Sequence, residues 1–113
     1  MKYGEHASRI MLTNVESVPG KRIVEHYGLV QGSTIRAKLL GKDILAGFKN
    51  IVGGELTGYT ELLTESRDEA LSRMRVQALE LGANAVINVR LSTSSIAQGA
   101  AEILAYGTAV RVE

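Results

Sequence analysis

Three residues of this chain are of types that do chemistry and stand where such types are unusual: Arg67, Glu25 and His26. Arg67 falls four residues after Leu63, three before Ala70 and four before Leu71. On a helix, that spacing sets a guanidinium on the apolar stripe. A buried guanidinium requires a carboxylate, because an unpaired buried charge is very costly. Glu25 is the matching oddity, an acid on the Ile23, Tyr27 and Leu29 face of a strand. Asp43 and Glu102 are further acids that could serve. The expectation is a salt bridge, within a subunit or across a subunit interface. The functional alternative is a charged floor for a small-ligand pocket. A second alternative is an uncharacterised enzyme, with Glu25 or His26 as general base and Arg67 holding an anionic substrate. His26 itself, mid-strand beside Val24 and Val30, reads first as a packed or interface histidine.

Other routes to chemistry lack their parts, and no catalytic residue is assigned. There is no cysteine, which removes thiolate nucleophiles, disulfides and sulfur-ligated zinc. His6 stands apart from His26, in a loose N-terminal lead. Ser92, Ser94 and Ser95 read as loop serines with no paired histidine and acid. Gly53 and Gly54 are followed by Glu55-Leu56 and not by Lys-Ser or Lys-Thr, so they are not a phosphate loop. Glu55 complements a helix N-terminus and repels an anion there. Neither a metal site nor a cofactor is expected.

These residues must be positioned by a small fold. The 113 residues suit one domain, read as a flexible lead over 1–7 and a single α+β domain over 8–113. Aromatics are one Phe, four Tyr and no Trp, so the core has to come from Ile, Leu, Val and Ala. The formal net charge is +1 with the signs interspersed, which argues against nucleic acid as a partner. No run approaches a membrane span, and no apolar stretch of signal-peptide length opens the chain. A soluble, cytoplasmic protein is the expectation.

Residues 9–13 suit a short strand, and Val18-Pro19-Gly20-Lys21 a turn. From Arg22 a strand pattern follows, with Ile23, Glu25, Tyr27 and Leu29 on one face and Val24, His26, Gly28 and Val30 on the other. Two apolar faces imply cover on both sides. Ile44, Leu45, Phe48, Ile51 and Val52 form a helical stripe, ended by Gly53-Gly54. A second helix is expected from about Thr57 to Leu81, burying Leu63, Ala70, Leu71, Met74, Ala78 and Leu81, with Glu69 and Arg73 paired on its solvent side. A break at Ser66 is the alternative, since Ser66-Arg67-Asp68-Glu69 fits a capping box. Gly82 ends the helix. In the next strand Ala85, Ile87, Val89 and Leu91 share one face. In the last, Leu104, Tyr106, Thr108, Val110 and Val112 do. Residues 92–100 suit a hairpin loop. The order β-β-α-α-β-β implies a mainly antiparallel sheet with two helices on one face.

The IVE and Gly28 of IVEHYGLV, the IVGG, Tyr59, Arg67, the LGANAV and the terminal GTAV resemble the YbjQ-like family of small bacterial and archaeal proteins, often labelled "putative heavy-metal-binding". The resemblance covers the chain from about Ile10. It implies a β/α subunit that assembles as a ring-shaped homopentamer, and it implies no established biochemical role. Many relatives carry two aspartates, two positions apart, in the strand after GANAV. Here the matching positions are Arg90 and Ser92, which do not make a hard-cation site. The reading is a self-assembling homo-oligomer that binds a small ligand, if any, at its subunit junctions, with the enzyme and metal-ion readings as alternatives.

Overall fold

The computed structural model describes residues 6–36, 57–97 and 100–113. Its elements are β1 (Met11–Leu12), β2 (Ile23–Arg36), α1 (Thr57–Glu80), β3 (Ala85–Ala97) and β4 (Ala100–Val112). The strands form one sheet in the order β1-β3-β4-β2. β1 is parallel to β3, while β2 and β3 are both antiparallel to β4. The fold is α+β with a mixed, mainly antiparallel sheet, and α1 packs chiefly over β2 and β4. The expected helix over 44–52, together with Asp43, Gly53 and Gly54, lies outside the described residues.

α1 runs unbroken through Ser66. The Ser66 hydroxyl donates to the Leu62 carbonyl one turn back, 2.8 Å away, so it is not spent on capping a new helix. The C-terminus closes as a glycine cap. Gly82 takes φ 91°, its N–H donates to Leu79 O at 3.0 Å, and Ala83 N–H donates to Ala78 O at 3.1 Å. That bond pair occupies carbonyls the helix leaves open, and the left-handed residue it requires is cheapest as glycine.

The buried side of α1 is a single i,i+4 row: Ser66, Ala70, Met74 and Ala78, each 0 % exposed. Leu63 and Leu71 are only half-buried, and Leu81 lies past the helix end and is exposed. An i,i+4 row slants across the helix surface, because four residues overshoot one turn. At the N-terminal end, the residue just after the row, Arg67, therefore falls on the flank and not beneath the helix. The small side chains in the row let α1 come close to β2. At Gly32 the two backbones come so near that an added Cβ would overlap Ala70 O, Met74 N and the Arg73 Cβ.

The strands depart from strict alternation at bulges. Register slips in β2 between Ile23 and Glu25 and again between His26 and Gly28. As a result Ile23 and Tyr27, expected on one face, pack into different cores. In β3 the slip lies between Ile87 and Arg90, where Asn88 has φ 54°. A bulge moves the following residues to the other face. Val89 accordingly packs with Val86 on the helix side and not with Ala85 and Ile87. The serine-rich stretch expected as a loop is strand: Ser92, Thr93, Ser94 and Ser95 pair with Leu104, Ile103, Glu102 and Ala101. β4 supplies a full ladder there, and backbone bonding overrides the weak strand preference of serine.

Two cores result. The larger lies between α1 and the sheet and includes Val30, Ala70, Met74, Val86, Ile103 and Ala105. The smaller lies on the opposite face at one end of the sheet, where Val18 closes over Ala85, Ile87, Val110 and Val112. Beyond that end, no described residue packs over the face opposite α1. Leu29 is 70 % exposed and Ile35 57 %, so the second cover expected for β2 is not supplied by the described residues.

Candidate functional site

The structure separates the residues expected to act together. Arg67 is exposed, and its Nη2 donates a long 3.4 Å bond to Thr64 Oγ1 on its own helix. Glu25 is exposed, and its Oε2 accepts from the Tyr27 hydroxyl at 3.2 Å. Tyr27 lies at the far end of α1, with its hydroxyl 3.8 Å from where a Gly82 Cβ would stand. From Arg67 to the end of α1 at Glu80 the helix rises about 20 Å, so Arg67 and Glu25 form no ion pair within the chain. Arg67 lies on the exposed flank of the slanted row, not on the buried side its spacing predicts. We therefore expect Arg67→Met to change stability by less than about 0.5 kcal/mol, as surface substitutions do. Thermal melting checks this, and a loss of many degrees would mean that a carboxylate from elsewhere reaches Arg67.

His26 does not join Glu25. It is registered opposite Val110, a member of the smaller core, and opposed residues share a face. Tyr27, which holds Glu25, packs into the larger core on the other face. His26 is exposed. Around Glu25 the arrangement is local. The Tyr27 hydroxyl is held above the usual phenol range, first by desolvation, then by its bond to Glu25 and the Glu25 charge, against an opposing pull from Arg111. Arg111 itself donates to Gly82 O at 3.2 Å. These contacts tie β2 and β4 to the end of α1, and neither Glu25 nor His26 is brought to Arg67. Asp43 lies outside the described residues.

Arg90 and Ser92 are both exposed. Arg90 Nη1 donates to Asn14 O at 2.8 Å and to Val89 O at 3.0 Å, pinning the N-terminal segment to β3. Among the described residues no group of three His, Cys, Asp or Glu could hold a metal, and no helix is long and apolar enough to cross a membrane.

Three features were not foreseen. An open apolar depression of about 300 Å³ lies between α1 and β3, lined by Leu12, Thr13, Asn14, Leu71, Val89 and Leu91. It exists because the Asn88 bulge turns Val89 and Leu91 toward the helix side. The asparagine was the available signal, since it enters the left-handed region more readily than most residues. The second feature is the plugging of the free edge of β2. Gln77 Oε1 accepts from Gln31 N–H at 2.7 Å, and Arg73 Nη1 donates to Ser33 O. Arg73 also makes the expected pair with Glu69. The third is the outer edge of β3. β1 pairs only with Ala85 and Val86, and residues 13–15 reach no further than Val89. From Arg90 to Ala97 that edge has no strand partner among the described residues.

Residues 10–113 match the YbjQ family model, described as "Putative heavy-metal-binding". A UPF0145 protein of Hahella chejuensis is 65% identical over 92% of this chain and 100% of its own length. One from the archaeon Archaeoglobus fulgidus is 58% identical over 91% of this chain and 95% of its own. Among solved structures, a protein of unknown function from Pediococcus pentosaceus, assigned to the DUF74 family, superposes with a TM-score of 0.60 over 92% of this chain and 98% of that one, at 15% identity. That similarity carries the fold alone.

Proposed function

Since this chain belongs to the YbjQ (UPF0145) family, whose members span bacteria and archaea under an uncharacterised label, we propose that it is a cytoplasmic, self-assembling subunit of a ring-shaped homo-oligomer. The ring is read as a pentamer from the family resemblance, and any small ligand binds at its subunit junctions. The observation that carries this reading is a set of exposed apolar side chains on the sheet that no described residue covers. Leu29, Ile35, Ile96 and Tyr106 are 70, 57, 49 and 36 % exposed. Beside them the β3 edge from Arg90 to Ala97 has no strand partner among the described residues and lacks the lysines and prolines that commonly blunt such edges. A second copy of the same chain is the proposed cover. The β2 edge at the opposite side of the sheet is plugged by Gln77 and Arg73, so the two sides differ. Contact between unlike surfaces of identical subunits closes into a ring when the rotation permits.

Light scattering at micromolar concentration tests the proposal. The expected mass is five times the 12.1 kDa chain, and Leu29→Glu is expected to shift it toward the single chain while the fold survives, because Leu29 contributes nothing to either core. A wild-type mass of 12.1 kDa overturns the reading, and a dimer removes the ring.

A further inference from the structure

On the flank of α1 away from β2, Arg75 is half-buried, and its Nε is sealed from solvent with no hydrogen-bond partner. No hydrogen bond or ion pair to any part of Arg75 is formed among the described residues. A lysine so placed could shed its proton, but a guanidinium cannot, because it stays charged at any pH a protein survives. The guanidinium is partly buried and meets no carboxylate among the described residues, a state that favours capture of an anion.

Beside it is a cavity of about 110 Å³ lined by Ala7, Ser8, Ser72, Arg75 and Val76. Its volume corresponds to three or four waters at about 30 Å³ each, which also suits one small organic anion. The lining divides by chemistry. Arg75 supplies charge and a planar set of donors, and Ser8 and Ser72 supply hydroxyl-bearing neighbours. Ala7, which is 3 % exposed, and Val76 supply apolar wall. We infer that this cavity is a binding site for a short-chain carboxylate, with its carboxylate on the Arg75 guanidinium and its alkyl end against Ala7 and Val76. The fork of a guanidinium matches the two oxygens of a carboxylate, and an alkyl tail gains by leaving water for the apolar wall. A fully hydrated inorganic anion would gain nothing from that wall. The site lies on one subunit's helix and N-terminal turn, and it stands whether or not the ring forms.

The test is a titration of the intact, assembled protein with sodium butyrate, acetate and inorganic phosphate, each against sodium chloride at equal ionic strength. It is followed by the nitrogen resonance of the Arg75 Nε and by melting temperature. Butyrate is expected to shift the Arg75 resonance saturably, with one site per chain and a dissociation constant in the millimolar range set by its few heavy atoms. Acetate should bind more weakly, and phosphate should match chloride. Melting temperature should rise with butyrate as mass action requires. Arg75→Met is expected to fold and to lose the butyrate response. Ser72→Leu, which fills the cavity and keeps the guanidinium, is expected to lose it as well, so the proposal stays testable if the first variant does not fold. No saturable shift with butyrate, an undiminished response in the folded variants, or phosphate binding more tightly than butyrate would each overturn it.

Discussion

Gly32→Val is expected to prevent stable folding or to lower the melting temperature by more than 10 °C, on the order of a 3 kcal/mol loss. Gly32 sits at a close approach of α1 and β2. Its added Cβ would meet Ala70 O and Met74 N, which are backbone atoms, and the Cβ of Arg73. A clash with the tip of a flexible side chain is relieved by a rotamer change. A clash with helix backbone is relieved only by moving the helix, and that opens the row of Ala70, Met74 and Ala78 on which the larger core depends. Gly32→Ala should cost nearly as much, since the overlap begins at Cβ. Gly20→Ala is the control. Gly20 has φ 78° but nothing within 4 Å of an added Cβ, so it should lose only about 1–2 kcal/mol from backbone strain. Equal melting temperatures for Gly32→Val and wild type would show that helix and strand are further apart than described.

Met74→Ala should cost about 4 kcal/mol, in the upper part of the range for large-to-small core changes. Met74 is among the largest fully buried side chains, at 0 % exposure. Its neighbours along the helix row are small, Ala70 and Ala78, and the core it belongs to is rich in alanine, with Ala83, Ala101, Ala105 and Ala109 beside Val30, Val86 and Ile103. Alanine has no rotamers with which to fill a void, so the cavity persists and its lining loses contacts outright. Met74→Leu, nearly equal in volume, should cost less than about 1.5 kcal/mol. Urea unfolding of the three proteins measures the difference. A loss below about 1 kcal/mol for Met74→Ala would mean that the core collapses onto the site, which its alanine content argues against.

Elements with a strong local signal were legible in the amino-acid order. α1 ends where Gly82 stands because a left-handed cap residue is a local requirement, met by one residue type at one place. The Glu69–Arg73 pair follows from helix geometry alone. The alternation in β4 also survives, with Ile103 and Ala105 under the helix and Val110 and Val112 on the other face. Composition required a core without large aromatics, and the buried row of alanines and one methionine on α1 meets it.

Which face each residue finally takes was decided by tertiary packing. Period arguments assume an unbroken strand and a helix whose buried stripe runs along its axis. Bulges at His26–Gly28 and Asn88 break the first assumption, and the slanted Ser66–Ala78 row breaks the second. One residue of phase was enough to move Arg67 from the expected core to solvent and Val89 from one core to the other. The same limit applies to residues 92–95. Serine has little preference for strand, the one threonine does not outweigh its neighbours, and the ladder offered by β4 across the hairpin selects the strand. Arg75 drew no notice as one more charge on a helix flank. The N-terminal turn packs beside it in the folded chain, and together they line a cavity in which Arg75 carries a buried, unpartnered Nε. Local chemistry determined where the elements begin and end; long-range contacts, which carry no short-range pattern, determined which side of each element meets the rest of the molecule.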